Sequence, residues 1–535
     1  MRNKAYPYNE TKHPQSFREI VDEQARLYPE RNAFVWTEKG VKQAVSRREF
    51  QKDIALAAKW LQENGLEKKH VALAGENSYA WILLFLAGVF LNNTMVPIDP
   101  NLPEDEIVSL LKRADVDAFF LDARTRRHLP EIGSHSFQVL DMQKSLQAFL
   151  NREPDGAFYE SLHPDPNAVC LIYYTSGTTG LPKGVMLSQK NLLEDIAGSV
   201  ELFAFDSSTV SVLPYHHSFG LSTSVLMAFF RGGEITICPS LRRVQKVVQE
   251  AGVQTLILVP VFIETFHKRI WQTAKKQKKD RQLRMAMKLA EALLKIGIDV
   301  RRPLMKSVQD VFGGHLEYII SGGAPLDQRY IDDFHAWGIQ ILQGYGITEC
   351  SPVVGVNRNR FIKRHSAGML LPSLEAKVSA NGEILLKGPI VFSGYYKDPE
   401  RTEEAFEEGW FKTGDLGRID EDRFLFIQGR KKNLIILSSG ENVSPEAIEE
   451  ILQKDEGAEE VLVYGKDGRI AVSFYPAESL RRQDPKTVKK YFEELVQSYN
   501  KQQPSYRQIQ DVQVRREPFA KNGAMKIKRG AINEQ

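Results

Sequence analysis

Strand-like and helix-like segments alternate along most of this chain, and this alternation constrains the fold more than any other feature. β-Prone runs at residues 32–36, 70–74, 94–98 and 118–121 are separated by segments with helical periodicity. Strands joined by helices at this spacing predict crossover units and a mostly parallel sheet. The pattern resumes after Pro166, and no period of 20 to 50 residues repeats, which argues against a solenoid.

The spacing of the predicted elements shortens from about Ser366. Short strands are predicted at residues 375–378, 382–387, 410–412, 418–419 and 423–428. They indicate a β-rich subdomain, after which a basic turn at residues 430–433 leads into about 100 residues of mixed helix and strand. We therefore predict an α/β protein with a large N-terminal domain, residues 1–431, and a small C-terminal α+β domain, residues 432–535.

Composition excludes several classes of protein. The 535 residues carry 71 Lys and Arg against 68 Asp and Glu, a net charge of +3, which argues against a dedicated nucleic-acid binder. Cys170, Cys238 and Cys350 lie far apart, so a zinc site is not expected, and the low, odd count fits a reducing, cytoplasmic compartment. Residues 1–16 lack the apolar core of a signal peptide. The longest apolar run, residues 80–91, is too short to span a bilayer and predicts a buried helix.

The strongest local signal is the run Tyr-Tyr-Thr-Ser-Gly-Thr-Thr-Gly-Leu-Pro-Lys-Gly at residues 173–184, which follows a predicted strand. Its glycines permit a backbone that exposes N–H groups, its hydroxyls add donors, and its lysine adds a positive charge, so the run suits a polyphosphate. It is not a Walker A loop, and the alternative is a surface loop rich in Gly, Ser and Thr. The candidate phosphate-binding residues are Thr175, Ser176, Gly177, Thr178, Thr179, Gly180 and Lys183.

This run resembles the phosphate-loop signature of the adenylate-forming superfamily of acyl-CoA synthetases, firefly luciferase and peptide-synthetase adenylation domains. Four further motifs follow in the family's order: Ser-Gly-Gly-Ala-Pro-Leu at 321–326, Gly-Tyr-Gly-Ile-Thr-Glu at 344–349, Phe-Lys-Thr-Gly-Asp-Leu at 411–416 and Gly-Arg-Lys-Lys at 429–432. The resemblance extends from about Phe17 to Arg529. It implies the family's fold, in which a hinge joins the small C-terminal domain to the large one.

The resemblance implies a role around ATP for the residues of these motifs. Glu349 would hold Mg²⁺ on the ATP phosphates, since hard carboxylate oxygens suit that ion. Tyr345 would offer an aromatic face to the adenine, and Gly323 and Ala324 would line the adenine and acyl pockets. Neighbouring residues implied in nucleotide binding are Gly344, Gly346 and Thr348. Without the resemblance, Glu349 is equally typical of a solvated turn.

Asp415 and Arg430 are implied in binding the ribose. Asp415 is predicted to lie in a turn after a strand, where its carboxylate would accept both ribose hydroxyls. Arg430 resembles the family residue that reaches the ribose or a phosphate. The alternatives are an Asx turn that stabilises Gly414 and a solvated arginine at a strand end.

The C-terminal part supplies the second half of the implied site. Lys432 matches the family's hinge position, about which the small domain of relatives rotates between two half-reactions. Gly440 lies in a run, residues 438–442, that resembles the lining of the pantetheine tunnel. The same segment is typical of a helix start, with Ser444 as N-cap and Pro445 as first helical residue, and both interpretations can hold.

A lysine near the C-terminus is implied in stabilising charge during adenylate formation. Lys526, Ile527 and Arg529 match the end of the family's motif, although its Thr and adjacent Gly are missing. Lys526 is the predicted adenylating residue and Lys521 the second candidate, with a frayed basic tail as the alternative. The predicted catalytic residues are Lys526, Glu349, His217 and Thr175.

The run Pro-Tyr-His-His-Ser-Phe-Gly at residues 214–220 resembles the acyl-pocket motif of acyl-CoA synthetases and luciferase. His217 matches a histidine near the reacting carboxylate, although a lone histidine is often a hydrogen-bonded core residue. Relatives that activate amino acids carry an Asp in this element, and none occurs here, so the pocket favours an uncharged acyl group. Candidate lining residues are Phe219, Val225 and Phe262.

An insertion at residues 268–306, from Lys268 to Lys306, concentrates positive charge. It contains thirteen Lys and Arg against three Asp and Glu, a local charge of +10 in a chain that carries +3. Apolar residues are interleaved at roughly helical spacing, which predicts contact with an anionic membrane, with a solvated basic helix as the alternative. Apolar residues interleaved there are Ile270, Trp271, Met285, Leu289, Leu293 and Leu294. The insertion is similar to that of long-chain fatty acid–CoA ligases.

Together, these features predict an acyl-CoA ligase that uses ATP and Mg²⁺ to activate a medium- or long-chain fatty acid as an acyl-adenylate. The acyl group would then pass to the thiol of CoA, with release of AMP and pyrophosphate. One alternative is an enzyme that loads the pantetheine of a carrier protein. Another is a non-catalytic descendant that binds nucleotide or lipid, for which the altered C-terminal motif is the support.

Overall fold

Helices and strands alternate through most of the chain, as the sequence predicts. The computed structural model describes residues 7–175, 182–204, 208–437, 441–521, 527 and 529. Its helices are α1 Phe17–Leu27, α2 Arg47–Glu63, α3 Tyr79–Phe90, α4 Glu104–Arg113, α5 Ala123–His128, α6 Met142–Leu150, α7 Gly156–Ser161, α8 Gln189–Leu202, α9 Ser218–Leu221, α10 Ala228–Phe230, α11 Val244–Ala251, α12 Pro260–Lys276, α13 Asp280–Lys295, α14 Arg301–Leu304, α15 Lys306–Gln309, α16 Gln328–Ala336, α17 Pro399–Ala405, α18 Pro445–Leu452, α19 Glu478–Arg481 and α20 Pro485–Asn500.

The strands in chain order are β1 Asn32–Glu38, β2 Val41–Ser46, β3 His70–Ala74, β4 Thr94–Pro97, β5 Ala118–Leu121, β6 Gln138–Asp141, β7 Val169–Thr175, β8 Lys183–Ser188, β9 Ser208–Ser211, β10 Glu234–Ile237, β11 Thr255–Leu258, β12 Tyr318–Ser321, β13 Gln340–Gly346, β14 Val353–Val356, β15 Met369–Leu370, β16 Glu375–Val378, β17 Glu383–Lys387, β18 Gly394–Tyr395, β19 Phe406–Glu407, β20 Trp410–Ile419, β21 Leu425–Arg430, β22 Ile435–Ile436, β23 Asn442–Val443, β24 Ala458–Lys466, β25 Arg469–Pro476 and β26 Ile509–Val514.

Two large sheets have parallel centres, which confirms the predicted fold class. The seven-stranded sheet has the order β18-β8-β7-β4-β3-β5-β6, and β3, β4, β5, β6 and β7 pair in parallel. The nine-stranded sheet has the order β15-β14-β13-β12-β11-β9-β10-β1-β2, and its parallel run extends from β13 to β1. Antiparallel strands extend the seven-stranded sheet on one side and the nine-stranded sheet on both sides. In parallel sheets the strand ends that carry functional loops meet at one edge.

Helix α3 confirms the predicted buried helix, because all twelve of its residues are buried. It is apolar on every side, which is typical of a helix enclosed by other elements. Ser78 caps its first turn by accepting the N–H of Trp81. Helix α2 starts with a capping box in which Ser46 and Glu49 satisfy each other's backbone N–H groups.

The β-rich stretch forms a five-stranded sheet with the order β16-β17-β20-β19, and β21 pairs with β20. The prediction of separate strands at residues 410–412 and 418–419 is wrong, because both belong to the continuous strand β20. Gly414 adopts a positive φ of 71°, and a Cβ at Gly417 would lie 2.4 Å from the Phe426 carbonyl oxygen. Glycines thus let the strand bend at these points without ending.

The chain divides into two compact units. The first comprises Met1–Glu375, Lys387–Phe411 and Asp422–Phe424, and the second comprises Ala376–Leu386, Lys412–Glu421 and Leu425–Gln535. The second unit therefore includes strands that the sequence analysis places in the larger domain. It has its own hydrophobic core, in which the sheet β24-β25-β26 packs against α18 and α20.

All three cysteines, Cys170, Cys238 and Cys350, are buried as free thiols. Burial raises the pKa of each thiol above its ordinary value. Within the described parts of the chain, no helix has both the length and the apolar character needed to cross a membrane.

Candidate functional site

The candidate phosphate loop connects two antiparallel strands whose ends are paired. Thr175 closes β7 and Lys183 opens β8, and the two residues are partners in the register of this pair. The predicted ligands Ser176, Gly177, Thr178, Thr179 and Gly180 lie outside the described residues. The structure thus brings Thr175 and Lys183 together at the base of the loop.

A tyrosine that the sequence analysis did not select links this loop to Glu349. The ammonium Nζ of Lys183 lies 4.6 Å from the centroid of the Tyr395 ring, and the Tyr395 hydroxyl donates to Glu349 Oε1 at 3.0 Å. Burial, followed by the charge of Glu349, raises the pKa of Tyr395, so its hydroxyl stays a donor. Tyr395 is uncharged and lies outside the motifs described above, so a single sequence gives no sign of its role.

Glu349 lies in a tight turn, Thr348–Cys350, that is fixed on two sides. Its carbonyl oxygen accepts the N–H of Phe392 at 2.8 Å. Just beyond the turn, the N–H of Val353 donates at 2.9 Å to Asp195, a buried carboxyl whose pKa is raised by burial. Thr348, which precedes Glu349 in the turn, lies beside Ser218, with 3.3 Å between their hydroxyl oxygens.

One carboxylate in a rigid turn fits Mg²⁺ held jointly with a nucleotide. Among the described residues there is no group of three or more His, Cys, Asp or Glu that could enclose a metal. Mg²⁺ commonly uses one or two carboxylates and takes its other ligands from phosphates and water. Glu349, close to the base of the phosphate loop through Tyr395, fits that arrangement.

His217 immediately precedes the Ser218–Leu221 helix, so the contact between Ser218 and Thr348 brings it to the Glu349 turn. It is half-buried, and its ring centroid lies 4.4 Å from that of His216. Burial, and then the neighbouring His217, lower the pKa of His216, which favours a neutral His216 ring. A π-helical segment, Ser222–Met227, follows, and such segments recur at functional sites.

The candidate acyl-pocket residues lie in different environments. Phe219 packs against the 321–326 motif so closely that a Cβ at Gly322 would lie 2.8 Å from its ring. Val225 is fully buried in the π-helical segment. Phe262 is half-buried and packs against the core around α12 and α16. Only Phe219 is thus placed directly beside another predicted motif.

The candidate adenine residues meet at one edge of the nine-stranded sheet. Strands β12 and β13 are parallel neighbours, with Ser321 paired to Gln343. Gly323 and Ala324 follow the end of β12 and are exposed, and Tyr345 is at the end of β13. Gly344 and Gly346 flank Tyr345, and a Cβ at Gly346 would lie 2.2 Å from the Pro352 carbonyl oxygen. Any side chain at Gly346 would therefore clash with the neighbouring backbone, so this position requires glycine.

Asp415 and Arg430, in the second unit, are cross-strand partners. Asp415 is only 2% exposed, and Arg430 Nε donates to its Oδ1 at 2.7 Å. The predicted turn position of Asp415 is wrong, because the residue lies within β20. The N–H of the preceding Gly414 donates to Glu383 at 3.0 Å, and Lys431 also contacts that buried carboxylate at 2.7 Å.

The hinge and tunnel candidates are partly described. Lys432 lies exposed in a tight turn, Lys431–Asn433, whereas Gly440 lies outside the described residues. Pro445 is the first helical residue of α18, as predicted. Ser444 occupies the predicted N-cap position, but its side chain makes no capping hydrogen bond, and its hydroxyl donates to the Gln428 carbonyl at 2.9 Å instead.

The two candidate lysines at the C-terminus differ in their placement. Lys526 lies outside the described residues. Lys521 Nζ lies 2.6 Å from Glu460, a buried carboxylate that also accepts the N–H of Phe519 at 2.7 Å. Lys521 pairs with Ile527 in an isolated antiparallel bridge. Lys521 is therefore engaged in holding this part of the second unit together.

The basic insertion forms two long helices, α12 and α13, and two short ones. The apolar residues of the insertion lie on helices, as their spacing predicts, but in two different environments: Ile270 is buried in the core and Trp271 packs against it. On α13, by contrast, Met285 is 71% exposed and Leu289 is 52% exposed, and Ile296, which directly follows the helix, is 71% exposed. Exposed basic residues on the same helix are Arg281, Arg284, Lys288 and Lys295.

Comparisons with known proteins identify the family of this chain. Residues 21–396 match the family described as AMP-binding enzyme, and residues 432–535 match the AMP-binding enzyme C-terminal domain. A long-chain-fatty-acid–CoA ligase of Mycobacterium bovis is 29% identical over 465 residues, which cover 81% of this chain and 76% of that protein. The indoleacetate–CoA ligase of Aromatoleum aromaticum is 27% identical over 473 residues, 84% of each chain.

The fold is also similar to that of solved structures. The o-succinylbenzoate CoA synthetase of Bacillus subtilis, solved with its acyl-adenylate intermediate, has a TM-score of 0.76 at 20% identity, covering 96% of this chain and 98% of that one. This similarity supports the fold alone. The family match covers more than half of the chain, which confirms the adenylate-forming superfamily predicted from the motifs. The chain therefore belongs to the AMP-binding enzyme family.

Proposed function

We propose that this chain is an ATP-dependent acid–thiol ligase that activates a carboxylic acid as an acyl-adenylate and transfers the acyl group to CoA. ATP, Mg²⁺ and CoA are the cofactors of this chemistry, and AMP and pyrophosphate are its by-products. The observation that carries the proposal is the link from Lys183 through Tyr395 to Glu349, which joins a phosphate-binding cation to a metal-binding carboxylate.

Each residue has a chemical task in this proposal. Thr175 and Lys183 bind the phosphates, and Glu349 holds Mg²⁺, which neutralises phosphate charge when bound. The Asp415 carboxylate accepts hydrogen bonds from the ribose hydroxyls, and Arg430 orients that carboxylate. Lys526 donates to the reacting carboxylate and the α-phosphate as charge develops between them.

The remaining predicted residues complete the site. Tyr345 stacks on the adenine, Gly323 and Ala324 leave room for the base and acyl group, and His217 lies beside the reacting carboxylate. Residues assigned to contacts with the nucleotide or its phosphates are Ser176, Gly177, Thr178, Thr179, Gly180, Gly344, Gly346 and Thr348. Gly440 is assigned to the pantetheine tunnel.

The acid is proposed to be a medium- or long-chain fatty acid. The 214–220 element carries no carboxylate to bind a substrate ammonium, so an uncharged acyl group fits it best. Relatives named long-chain-fatty-acid–CoA ligases support this choice, whereas the indoleacetate–CoA ligase represents an aromatic alternative. Pyrophosphate exchange over fatty acids of graded length, with indoleacetate included, tests the choice. If none of these acids supports pyrophosphate exchange, the proposal of a ligase is refuted.

The acceptor is proposed to be free CoA. The competing acceptor is the pantetheine of a carrier protein, which the same tunnel would accommodate. Comparison of thioester formation with CoA and with a holo-carrier protein decides between them. Preference for the carrier would overturn this part of the proposal.

Residues 432–535 are proposed to form a mobile domain that rotates about Lys432 between the two half-reactions. The match to the family's C-terminal domain, which begins at residue 432, supports this boundary. Substitution of Lys432 by Pro should restrict the backbone there and slow the overall reaction more than either half-reaction measured alone. Equal effects on all three rates would refute the hinge.

Helix α13 is further proposed to contact an anionic membrane surface. Exposed apolar side chains and exposed basic side chains share its solvent-facing surface, which suits the boundary between headgroups and acyl chains. The local charge of +10 over residues 268–306 adds electrostatic attraction.

A further inference from the structure

One aromatic side chain contacts both charged groups of the candidate phosphate site. The face of Tyr395 lies under the Lys183 ammonium, 4.6 Å from the ring centroid, and its hydroxyl donates to Glu349 Oε1 at 3.0 Å. We propose that Tyr395 is a positioning residue that sets the separation of Lys183 and Glu349 and so preorganises the site for Mg·ATP. The inference rests on the proposed function, because it takes Lys183 and Glu349 as the phosphate and metal ligands.

Tyr395 is held firmly enough to act as a spacer. It is 5% exposed, pairs with Val185 of the neighbouring strand, and packs against Phe392 with 4.8 Å between the ring centroids. Its N–H donates to Thr402 Oγ1 at 2.9 Å. Gly394 before it has a φ of 146°, and a Cβ there would lie 2.8 Å from Thr402. The hydroxyl therefore cannot move far unless β18 moves.

The segment that carries Tyr395 also fixes the backbone around Glu349. Phe392 donates its N–H to the Glu349 carbonyl at 2.8 Å, and the Ser351 hydroxyl donates to the Ile390 carbonyl at 2.8 Å. With the turn held in this way, the remaining freedom of Glu349 is rotation of its side chain. The Tyr395 hydroxyl restricts that rotation by binding Oε1.

Both contacts have a clear physical effect. The ring face attracts the ammonium through its quadrupole and limits where Lys183 can lie. A hydrogen bond to a ligating carboxylate orients it and strengthens metal binding. Without the ring, the opposite charges of Lys183 and Glu349 would be free to approach each other, and a direct ion pair would compete with the phosphates and metal.

The test is calorimetric titration of the full chain with ATP at a series of Mg²⁺ concentrations. Tyr395→Phe removes only the hydroxyl. We therefore expect the Mg²⁺ concentration that gives half of the maximal enhancement of ATP affinity to rise about tenfold, while ATP affinity without Mg²⁺ is unchanged. Tyr395→Leu also removes the ring, so ATP binding should weaken both with and without Mg²⁺. If the half-maximal Mg²⁺ concentration of Tyr395→Phe lies within about twofold of that of the parent, the proposal is overturned.

The next residue provides a matched control. The Tyr396 hydroxyl donates to Asp115 at 2.6 Å on the surface, so Tyr396→Phe also removes one tyrosine–carboxylate hydrogen bond. We expect Tyr396→Phe to bind Mg·ATP like the parent. An equal loss in both variants would show a general structural effect and would overturn the assignment to Tyr395.

Two further variants keep the test decisive. In the Glu349→Gln background, Tyr395→Phe should cause little additional loss, because the coupled partner is already changed. Thr402→Val removes the acceptor for the Tyr395 N–H without altering the Tyr395 ring. It should also raise the Mg²⁺ concentration needed to enhance ATP binding. ATP binding is measured without acid or thiol, so a failed acid panel would refute the ligase while leaving this test intact.

Discussion

Arg430 and Asp415 face each other across strands β21 and β20, with 2.7 Å between Nε and Oδ1. The carboxylate is almost completely buried, whereas the guanidinium side chain is 41% exposed. A carboxylate has lone pairs enough to accept from Arg430 and from a ribose together. The pair thus presents a fixed, charged acceptor rather than the turn residue that the sequence predicts.

We predict that Asp415→Asn weakens ATP binding about tenfold or more, because charge-assisted hydrogen bonds to the ribose contribute about 1.5–3 kcal/mol. Calorimetric titration with Mg·ATP measures the loss. Asp511→Asn is the control, since Asp511 forms an exposed ion pair with Lys466 in the same unit. Unchanged ATP affinity in Asp415→Asn would remove Asp415 from the site.

Lys526 and Lys521 are predicted to have different effects on adenylate formation. Lys526→Ala should slow acyl-adenylate formation about 10²–10³-fold, as loss of a donor to developing charge does. Lys521→Ala should mainly lower the thermal unfolding midpoint, because it leaves the buried Glu460 without its cation. Single-turnover adenylation and thermal unfolding of both variants check this. Full adenylation by Lys526→Ala would refute its role.

Charge reversal in the basic insertion is predicted to abolish membrane binding. Exposed lysines at Lys275, Lys276, Lys278 and Lys279, changed together to Glu, should release the chain from anionic liposomes in a flotation assay. Met285→Ser with Leu289→Ser should weaken binding through lost apolar contact. Lys489→Glu with Lys490→Glu on α20 is the matched control. If the parent does not float, or if the fourfold variant floats equally well, the membrane proposal fails.

A half-buried carboxyl in the first unit makes stability depend on pH. Tyr79 donates to Asp53 at 2.6 Å, yet burial raises the pKa of Asp53 to about 6. The folded state therefore holds the proton more tightly than the unfolded state, and stability is lost as the pH rises from about 4 to about 6.

Asp53→Asn should remove this loss while keeping an acceptor for Tyr79. We expect the variant to be more stable than the parent by about 2 kcal/mol above pH 6 and equally stable near pH 4. Thermal unfolding midpoints at pH 4, 6 and 8 measure the difference. A variant with the same advantage at all three pH values would contradict the titration of Asp53.

The features that follow from periodicity and from motifs could be predicted from the amino-acid sequence. The parallel sheets, the buried helix α3 and the strand before the phosphate loop depend on local patterns of apolar residues, which one sequence shows directly. Lys183 was selected from the Gly- and hydroxyl-rich run itself, whereas Glu349, Asp415 and Arg430 were selected because their motifs resemble those of a known family.

Features that depend on contacts between distant segments were not predictable. Tyr395 lies 46 residues from Glu349 in sequence, and nothing in its own surroundings indicates that contact. The continuity of β20 through Gly414 and Gly417 depends on pairing with β21, whereas glycine alone suggests a break. Ser444 occupies the N-cap position expected from the sequence, but its hydroxyl donates to the carbonyl of Gln428, a contact that the local sequence does not indicate.

The burial of all three cysteines has a practical consequence for measuring motion in this enzyme. Thiol-reactive dyes attack the thiolate, and buried thiols with raised pKa values offer very little of it. A cysteine introduced on the surface of each unit would therefore carry the label without prior removal of the native ones. Fluorescence energy transfer between two such dyes would report the distance between the units during turnover, in an otherwise unaltered chain.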